Sequence, residues 1–358
     1  MKSYLKKTAC LSALIIPFSL QAVSAGAYWK GNIKYEIWGD EAVICGFKET
    51  ERAPLTDIVI PAEIDGHPVT FLNGVSIGKM PDLVSVTIPD SVTRIGTAVF
   101  HQCPKLEKIN IPDSVTIIQN NAFRDCPSLY ELDIPESVTR IDAYAFENTG
   151  WMKERLEENP LVTVNHILIN GRTCTGDITI PETVHTIGAS AFEKCSDLKK
   201  IILPENVDAI ESDAFRECTD LESITIENPY CQIELHDGFI ISNGYDILDD
   251  GSELEQIFEI PYYHGVIRGY ENSTAQAYAE SHGYQFELIE TVSKTGDADG
   301  DGKADILDVI TLNKAIMGKE TLSETSLKAI DLNQNGKPDS EEALTILKYI
   351  VGLITELS

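Results

Sequence analysis

Aligned on itself at a step of 23 residues, the chain repeats. LVSVTIPDSVTRIGTAVFHQCPK (83–105) overlays LEKINIPDSVTIIQNNAFRDCPS (106–128), and LYELDIPESVTRIDAYAFENTG follows from 129. DITIPETVHTIGASAFEKCSD (177–197) and LKKIILPENVDAIESDAFRECTD (198–220) continue the pattern. Ile88, Ile111, Ile134, Ile180 and Leu203 fall in phase, as do Phe100, Phe123, Phe146, Phe192 and Phe215. Phe146 and Phe192 are 46 residues apart, two full periods, so the irregular stretch from about 150 to 176 fills one coil without breaking phase. A repeat of this length means a solenoid, because each coil buries its apolar face only by stacking on its neighbours.

Within a coil, the alternation in LVSVTI predicts a short strand. Proline then ends it, SVTRI supplies a second apolar pair, and AF..C closes the turn. Cys103, Cys126, Cys195 and Cys218 share one phase. Stacked in a right-handed solenoid they form an internal ladder of buried free thiols, small and apolar enough for the interior. Cys45, Cys174 and Cys231 lie outside that phase, and their spacing decides nothing between a thiol and a disulfide.

The first residues, MKSYLKKTACLSALIIPFSLQAVSAGA, put Lys2, Lys6 and Lys7 ahead of a short apolar run and small residues at Ala25 and Ala27. That order predicts a secretory leader over 1–27 and a secreted, extracellular protein, since the run is too short to span a bilayer. Cys10 precedes most of the run and is badly placed for lipid attachment. Removing the leader's three lysines takes the formal charge from -29 to about -32. Such a surface repels nucleic acid and anionic membranes, which excludes both as expected partners. Seven cysteines then remain, an odd and sparse set for a disulfide framework.

The pattern L..I.IP.SVT.I...AF..C..L, carried over residues 55 to 226, resembles the BspA-like leucine-rich repeats of bacterial surface and secreted proteins. GNIKYEIWGDEAVICGF resembles the strand pair that caps such arrays, and VIRGYENSTAQAYAESHGYQFELIE (266–290) resembles their closing segment. The resemblance implies a curved surface that binds a protein or glycan, not a chemistry. The residues agree. His67, His101, His166, His185, His236, His264 and His282 sit at scattered phases and join no metal-ligand motif. There is no nucleophile elbow and no glycine-rich phosphate loop. Asp90, Asp113 and Glu136 recur after the IP turn, as any repeat would place them, and read as solvated turns rather than a glycosidase pair.

The segment GDADGDGKADILD (296–308) crowds five aspartates into twelve residues, and like charges that close need a cation. Shifted by 34, Asp297, Asp299, Asp301, Gly302, Lys303, Asp305 and Asp308 meet Asp331, Asn333, Asn335, Gly336, Lys337, Asp339 and Glu342. Each copy sets side-chain oxygens at loop positions 1, 3, 5, 9 and 12, glycine at 6 and a backbone carbonyl at 7 (Lys303, Lys337), the arrangement of a calcium loop. The last carboxylate opens a helix whose dipole favours it. An ordinary EF-hand pair also needs an entering helix and an apolar residue at position 8. TVSKTG has no helical period, and Ala304 and Pro338 stand at that position, where Pro338 lacks the N–H for loop pairing.

Residues 297 to about 355 instead resemble the dockerin module, which docks onto cohesin domains of bacterial cellulosome scaffolds. The resemblance implies two calcium ions and a cohesin partner. It places the contact at positions 10 and 11: Ile306–Leu307 in the first copy, Ser340–Glu341 in the second. Only the first pair is apolar, so a single docking mode centred on the first helix is expected, with Lys314 at its rim. TLSETSLKAI (321–330) is the expected linking helix, and Glu342 departs from the usual aspartate. The expected organisation is a leader (1–27), a repeat solenoid of short parallel strands, turns and short helices with caps (28–290), a linker (291–296) and a small all-α calcium-binding dockerin (297–358). Two functions follow. One is a non-catalytic binding component, with no enzyme activity, that plugs into a scaffold. The other is a polysaccharide-degrading hydrolase with a cryptic site in the repeats.

Overall fold

The computed structural model describes residues 27–48, 55–74, 79–235, 237–249, 257–289, 295–300, 302–333 and 335–357. The expected leader up to residue 26, most of the expected linker and Asp301 lie outside the described residues. Among the described residues no helix is long and apolar enough to cross a membrane.

The array opens with an antiparallel meander of β1 (Tyr28–Lys30), β2 (Ile33–Trp38) and β3 (Glu41–Phe47), whose inward residues Ile33, Tyr35, Ala42 and Ile44 close the end of the core. His67–Leu72 pairs parallel with β3, and Arg94–Ile95, Ile117–Ile118 and Arg140–Ile141 continue the ladder at steps of 23. A second ladder runs through Ile167–Asn170, Thr186–Ile187, Ala209–Ile210 and Gln232–Ile233. The LVSVTI segments build the other face. Asp57–Val59, Ser85–Thr87 and Lys108–Ile109 pair parallel, and so do Gly176–Thr179, Leu198–Leu203, Ser223–Ile226, Val266–Gly269 and Gln285–Leu288.

The proline of each coil makes one repeated turn. Val92, Val115, Val138, Val184 and Val207 each donate their N–H to the carbonyl of the proline three residues back, at 2.9–3.1 Å. Each AF..C turn then needs two left-handed residues flanking the phenylalanine. Ala98, Asn121, Tyr144, Ser190 and Asp213 lie at φ of 55–59°, and Gln102, Asp125, Asn148, Lys194 and Glu217 at 56–61°. That conformation costs each non-glycine residue about 1–2 kcal/mol. The stacked backbone offsets it, since the turn N–H groups bond the next coil, Phe123 N to Ala145 O at 2.8 Å among them.

Inside, Phe100, Phe123 and Phe146 stack at 5.6 Å centroid spacing, and Phe192 and Phe215 stack at 5.0 Å. The irregular coil interrupts the ladder. Thr149 caps α1 (Gly150–Glu158), whose Trp151 ring ends the first stack 5.1 Å from Phe146. A hairpin of Val162–Val164 and Ile167–Asn170 restores the phase, with Leu168 opposite Ile187. The phase therefore holds while both strand ladders break at this coil, and the buried side chains divide into two clusters between Ile167 and Leu168. Ile134, in phase but on the coil that lacks a strand there, is only partly buried.

All seven described cysteines are buried free thiols, including Cys45, Cys174 and Cys231. The in-phase thiols also bond the preceding coil. Cys126 Sγ donates to Phe100 O at 3.0 Å and Cys218 Sγ to Phe192 O at 3.1 Å.

The array closes with α2 (Thr274–His282), held between its Ser273 cap and left-handed Gly283, and with the fully buried Tyr278. Beyond it lie α3 (Ile306–Ile316), α4 (Glu324–Ile330) and α5 (Ser340–Ile350), packed around their own core of Val309, Leu312, Ile330, Ala343 and Ile346.

Candidate metal centre and docking faces

Each acidic loop wraps its first aspartate. Gly300 N and Gly302 N donate to Asp297 at 2.7 and 2.9 Å, and Asn335 N and Gly336 N donate to Asp331 at 2.8 and 2.9 Å. Gly302 and Gly336 take φ of 86° and 76°, the left-handed bend that glycine alone reaches without strain. The last carboxylate of each loop reaches back. Asp308 accepts from Ala298 N at 2.7 Å, Asp299 N at 3.1 Å and Asp305 N at 2.6 Å. Glu342 accepts from Leu332 N at 3.1 Å and Asp339 N at 3.0 Å. The shift of 34 read from residue types thus recurs in individual hydrogen bonds.

In the first loop, oxygens of Asp297, Asp299 and Asp308 lie within 4.8 Å of one another. Asp297 and Asp308 are each about 1% exposed. Burial pushes the Asp308 carboxyl up to about 6, against the pull of three backbone N–H groups, with the Asp297 charge adding to the rise. Two buried carboxylates and a half-buried third converging without a cation oppose each other, so this donor set, all hard oxygen, fits calcium. Lys303 turns its side chain to an ion pair with Glu205 of the repeats.

The second loop is arranged differently. Asn333 and Asn335 direct their amide nitrogens to Asp339 Oδ2 at 3.1 and 3.2 Å, and their oxygens accept from Asn335 N and Lys337 N. Asp331 and Glu342 keep their loop positions, but no second carboxylate group as close as the first is found among the described residues. At position 9, Asp305 and Asp339 cap α3 and α5, accepting from Leu307 N at 2.7 Å and Glu341 N at 2.8 Å.

Ile306 and Leu307 are exposed on the first turn of α3, where the first turn of α5 exposes the polar Ser340 and Glu341. Lys314 pairs with Glu320 at 3.3 Å. Residue reasoning missed two further exposed pairs, Ile310 with Leu344 and Met317 with Val351, each 34 apart. The same shift carries the signal: these are apolar helix positions that the small core does not use. Leu307, Ile310 and Lys314 also line a cavity of about 820 Å³ whose other wall is Tyr270 and Leu288 of the array's closing segment.

Comparison with known proteins agrees with this division. The BspA type leucine-rich repeat region matches in six copies over residues 53–165 and 170–236, just over half of the chain. The dockerin type I domain matches residues 295–351. No curated protein matches. Among solved structures, the chain is similar to a leucine-rich repeat protein from Bacteroides ovatus at 26% identity and TM-score 0.35, over 55% of this chain and 46% of that one. It thus spans about half the length of that relative. The leucine-rich repeat protein of T. pallidum is 23% identical at TM-score 0.35 over 59% and 92%, and one from Bacteroides capillosus 29% identical at TM-score 0.30 over 35% and 93%. A dockerin type I domain implies attachment through a cohesin, and repeats of this type imply protein binding. The chain belongs to the BspA type leucine-rich repeat proteins and carries a dockerin type I domain at its C-terminal end.

Proposed function

We propose that this is a secreted, non-catalytic binding component of a cellulosome. Its dockerin, folded around two calcium ions, docks onto a scaffold cohesin, and its repeats present a surface to a protein or glycan. The observation that carries the reading is the pair of loops closed by matching hydrogen bonds 34 residues apart, each opening a helix with exposed apolar residues. In the first loop Asp297, Asp299 and Asp308 hold the ion, with Asp301, Asp305 and the Lys303 carbonyl completing it. In the second, Asp331, Asn333, Asn335, Lys337, Asp339 and Glu342 do so once the amides turn. Calcium supplies the charge that lets the carboxylates converge and the following helices form. The recurring acids Asp90, Asp113 and Glu136 are exposed on their turns, which supports binding rather than hydrolysis.

Docking is centred on α3. Ile306 and Leu307 are apolar anchors of the kind that dominate interfaces. Burying Glu341 in their place would cost a desolvated carboxylate. Calorimetry of the full chain against a panel of purified type I cohesins, with calcium and with chelator, tests the reading. Binding with calcium alone is expected, abolished by Leu307→Asp and little changed by Ser340→Asp. Equal loss only in the double variant means that the two helices are interchangeable. Calcium-independent binding, or hydrolysis of plant polysaccharides by the repeats, overturns the corresponding part.

A further inference from the structure

The irregular coil creates a groove of about 1010 Å³ between the two strand ladders, walled by α1 and floored by the AF..C turns. Its charge runs against the rest of the molecule. Tyr144 occupies the left-handed position that other coils give to Ala98, Asn121, Ser190 and Asp213, and its ring meets two guanidiniums, Arg124 at 5.4 Å and Arg172 at 5.2 Å. Of the acids that line the groove, Glu147 pairs with Arg172 and Glu193 accepts from the Tyr144 hydroxyl, while Glu157 on α1 is exposed. The other cations are held more loosely. Arg124 donates one Nη to Asn121 Oδ1 at 3.1 Å, but its Nε is buried without a hydrogen bond and its ion contact to Asp125 is 3.9 Å long. Lys153 on α1 is exposed with no ion pair among the described residues, and Lys194 reaches its acids only at 3.8 and 4.0 Å. Four cations, Arg124, Lys153, Arg172 and Lys194, against three acids line the groove, a local excess of positive charge in a chain of formal charge -29. Screening over about 8 Å at physiological salt lets such a patch act on a ligand at contact despite the distant acids.

Beside these cations stands an open aromatic face. Tyr130, 49% exposed, covers Gly150 so closely that a Cβ there would meet three of its ring atoms at 2.7–2.8 Å. Three such near-equal distances turn one face of the ring to Gly150, while about half of the residue stays exposed. The groove continues past Pro127 and Asn148 into a shallower one of about 500 Å³ along Pro81 and Pro104, so it takes an elongated ligand.

We infer that this groove binds an acidic oligosaccharide, with uronate carboxylates on Arg124, Lys153 and Lys194 and a sugar ring stacked on Tyr130. Guanidinium and ammonium groups suit carboxylates, and a flat aromatic face suits the C–H face of a pyranose. A peptide fits less well. The turn N–H groups on the floor already bond the neighbouring coil, Asp125 N to Glu147 O and Lys194 N to Arg216 O, so no strand edge is offered for pairing.

The inference deepens the proposed function by naming the ligand class of the repeats. Calorimetry on the full calcium-loaded chain, titrated with tetragalacturonate, its methyl ester and hexaglutamate, tests it. Tetragalacturonate is expected to bind, and the ester, with the same rings and no charge, at least about tenfold more weakly. Lys153→Glu and Tyr130→Ala should each weaken binding by about tenfold or more, with thermal unfolding unchanged in Lys153→Glu, whose side chain is exposed. No binding, an ester as tight as the acid, hexaglutamate as tight as the acid, or parent-like Lys153→Glu overturns the inference. Cohesin binding measured on the same samples reports the dockerin independently. If neither a glycan nor a protein array yields any ligand for the repeats, the reading of the repeats itself fails.

Discussion

Phe146 is the last ring of the first stack, 1% exposed between Phe123 at 5.6 Å and Trp151 at 5.1 Å. Replacing it with alanine removes contacts on both faces at the coil where the strand ladders already break, so little neighbouring structure can collapse into the space. Phe146→Ala should cost roughly 3–5 kcal/mol, read from denaturant unfolding, and a parent-like midpoint would show that the ring is not packed there. The thiols report the same interior. Burial pushes Cys174 up to about 11 and Cys231 to about 12, so both stay protonated at mildly alkaline pH, where a disulfide-exchange reagent attacks thiolates. The Cys126 hydrogen bond lowers Cys103 instead, but all seven described thiols are buried, so native protein should react slowly at its cysteines. Unfolded protein should release seven thiols if the leader has been cleaved, and eight if Cys10 remains. Rapid native reaction, or fewer than seven on unfolding, contradicts this. At this scale the sequence shows the ladders, because a fixed period forces in-phase residues to meet. It does not show Tyr144 against Arg124 and Arg172, since Arg172 reaches that ring only through the irregular coil's own path.

Among the elements, the loops show what residue type leaves open. Asp305 and Asp339 stand at a ligand position by spacing, yet both cap the following helix, because an aspartate there satisfies orphan N–H groups and a cation equally well. The convergence of Asp297, Asp299 and Asp308 follows directly from the spacing. The turning of Asn333 and Asn335 toward Asp339 does not, since an amide presents either end. From this the two sites should differ. The first offers five carboxylates in sequence, three of them already clustered. The second offers three and must turn two amides. Greater ligand charge gives tighter binding. In calcium titrations of otherwise intact chains, Asp331→Ala should retain the tight site and Asp297→Ala only the weak one. The reverse order would mean that repulsion and burial in the first loop outweigh its charge.

On the scale of the whole molecule, the repeats and the tail are stabilised by unlike forces. Two apolar clusters run through the repeats, from Ile33 to Ile167 and from Leu168 to Ala279, and neither includes a loop carboxylate. The tail's buried cluster is far smaller, six residues from Ala298 to Ile346, and two of its loop acids, Asp297 and Asp308, are buried beside it. Such a core supplies little stability alone. On the proposed reading calcium binding supplies the rest, and at a thousandfold excess over Kd each site would contribute about 4 kcal/mol to the folded state alone. The expectation is two separable thermal transitions in the full chain, followed by calorimetry and by helical circular dichroism. Adding chelator should abolish or sharply lower the helical one and leave the repeat transition where it was, because no apolar ladder in the repeats depends on the ion. Restoring calcium should bring the first back. If chelator moves both transitions together, the tail and the repeats unfold as one cooperative unit, and the separation argued from their cores is wrong.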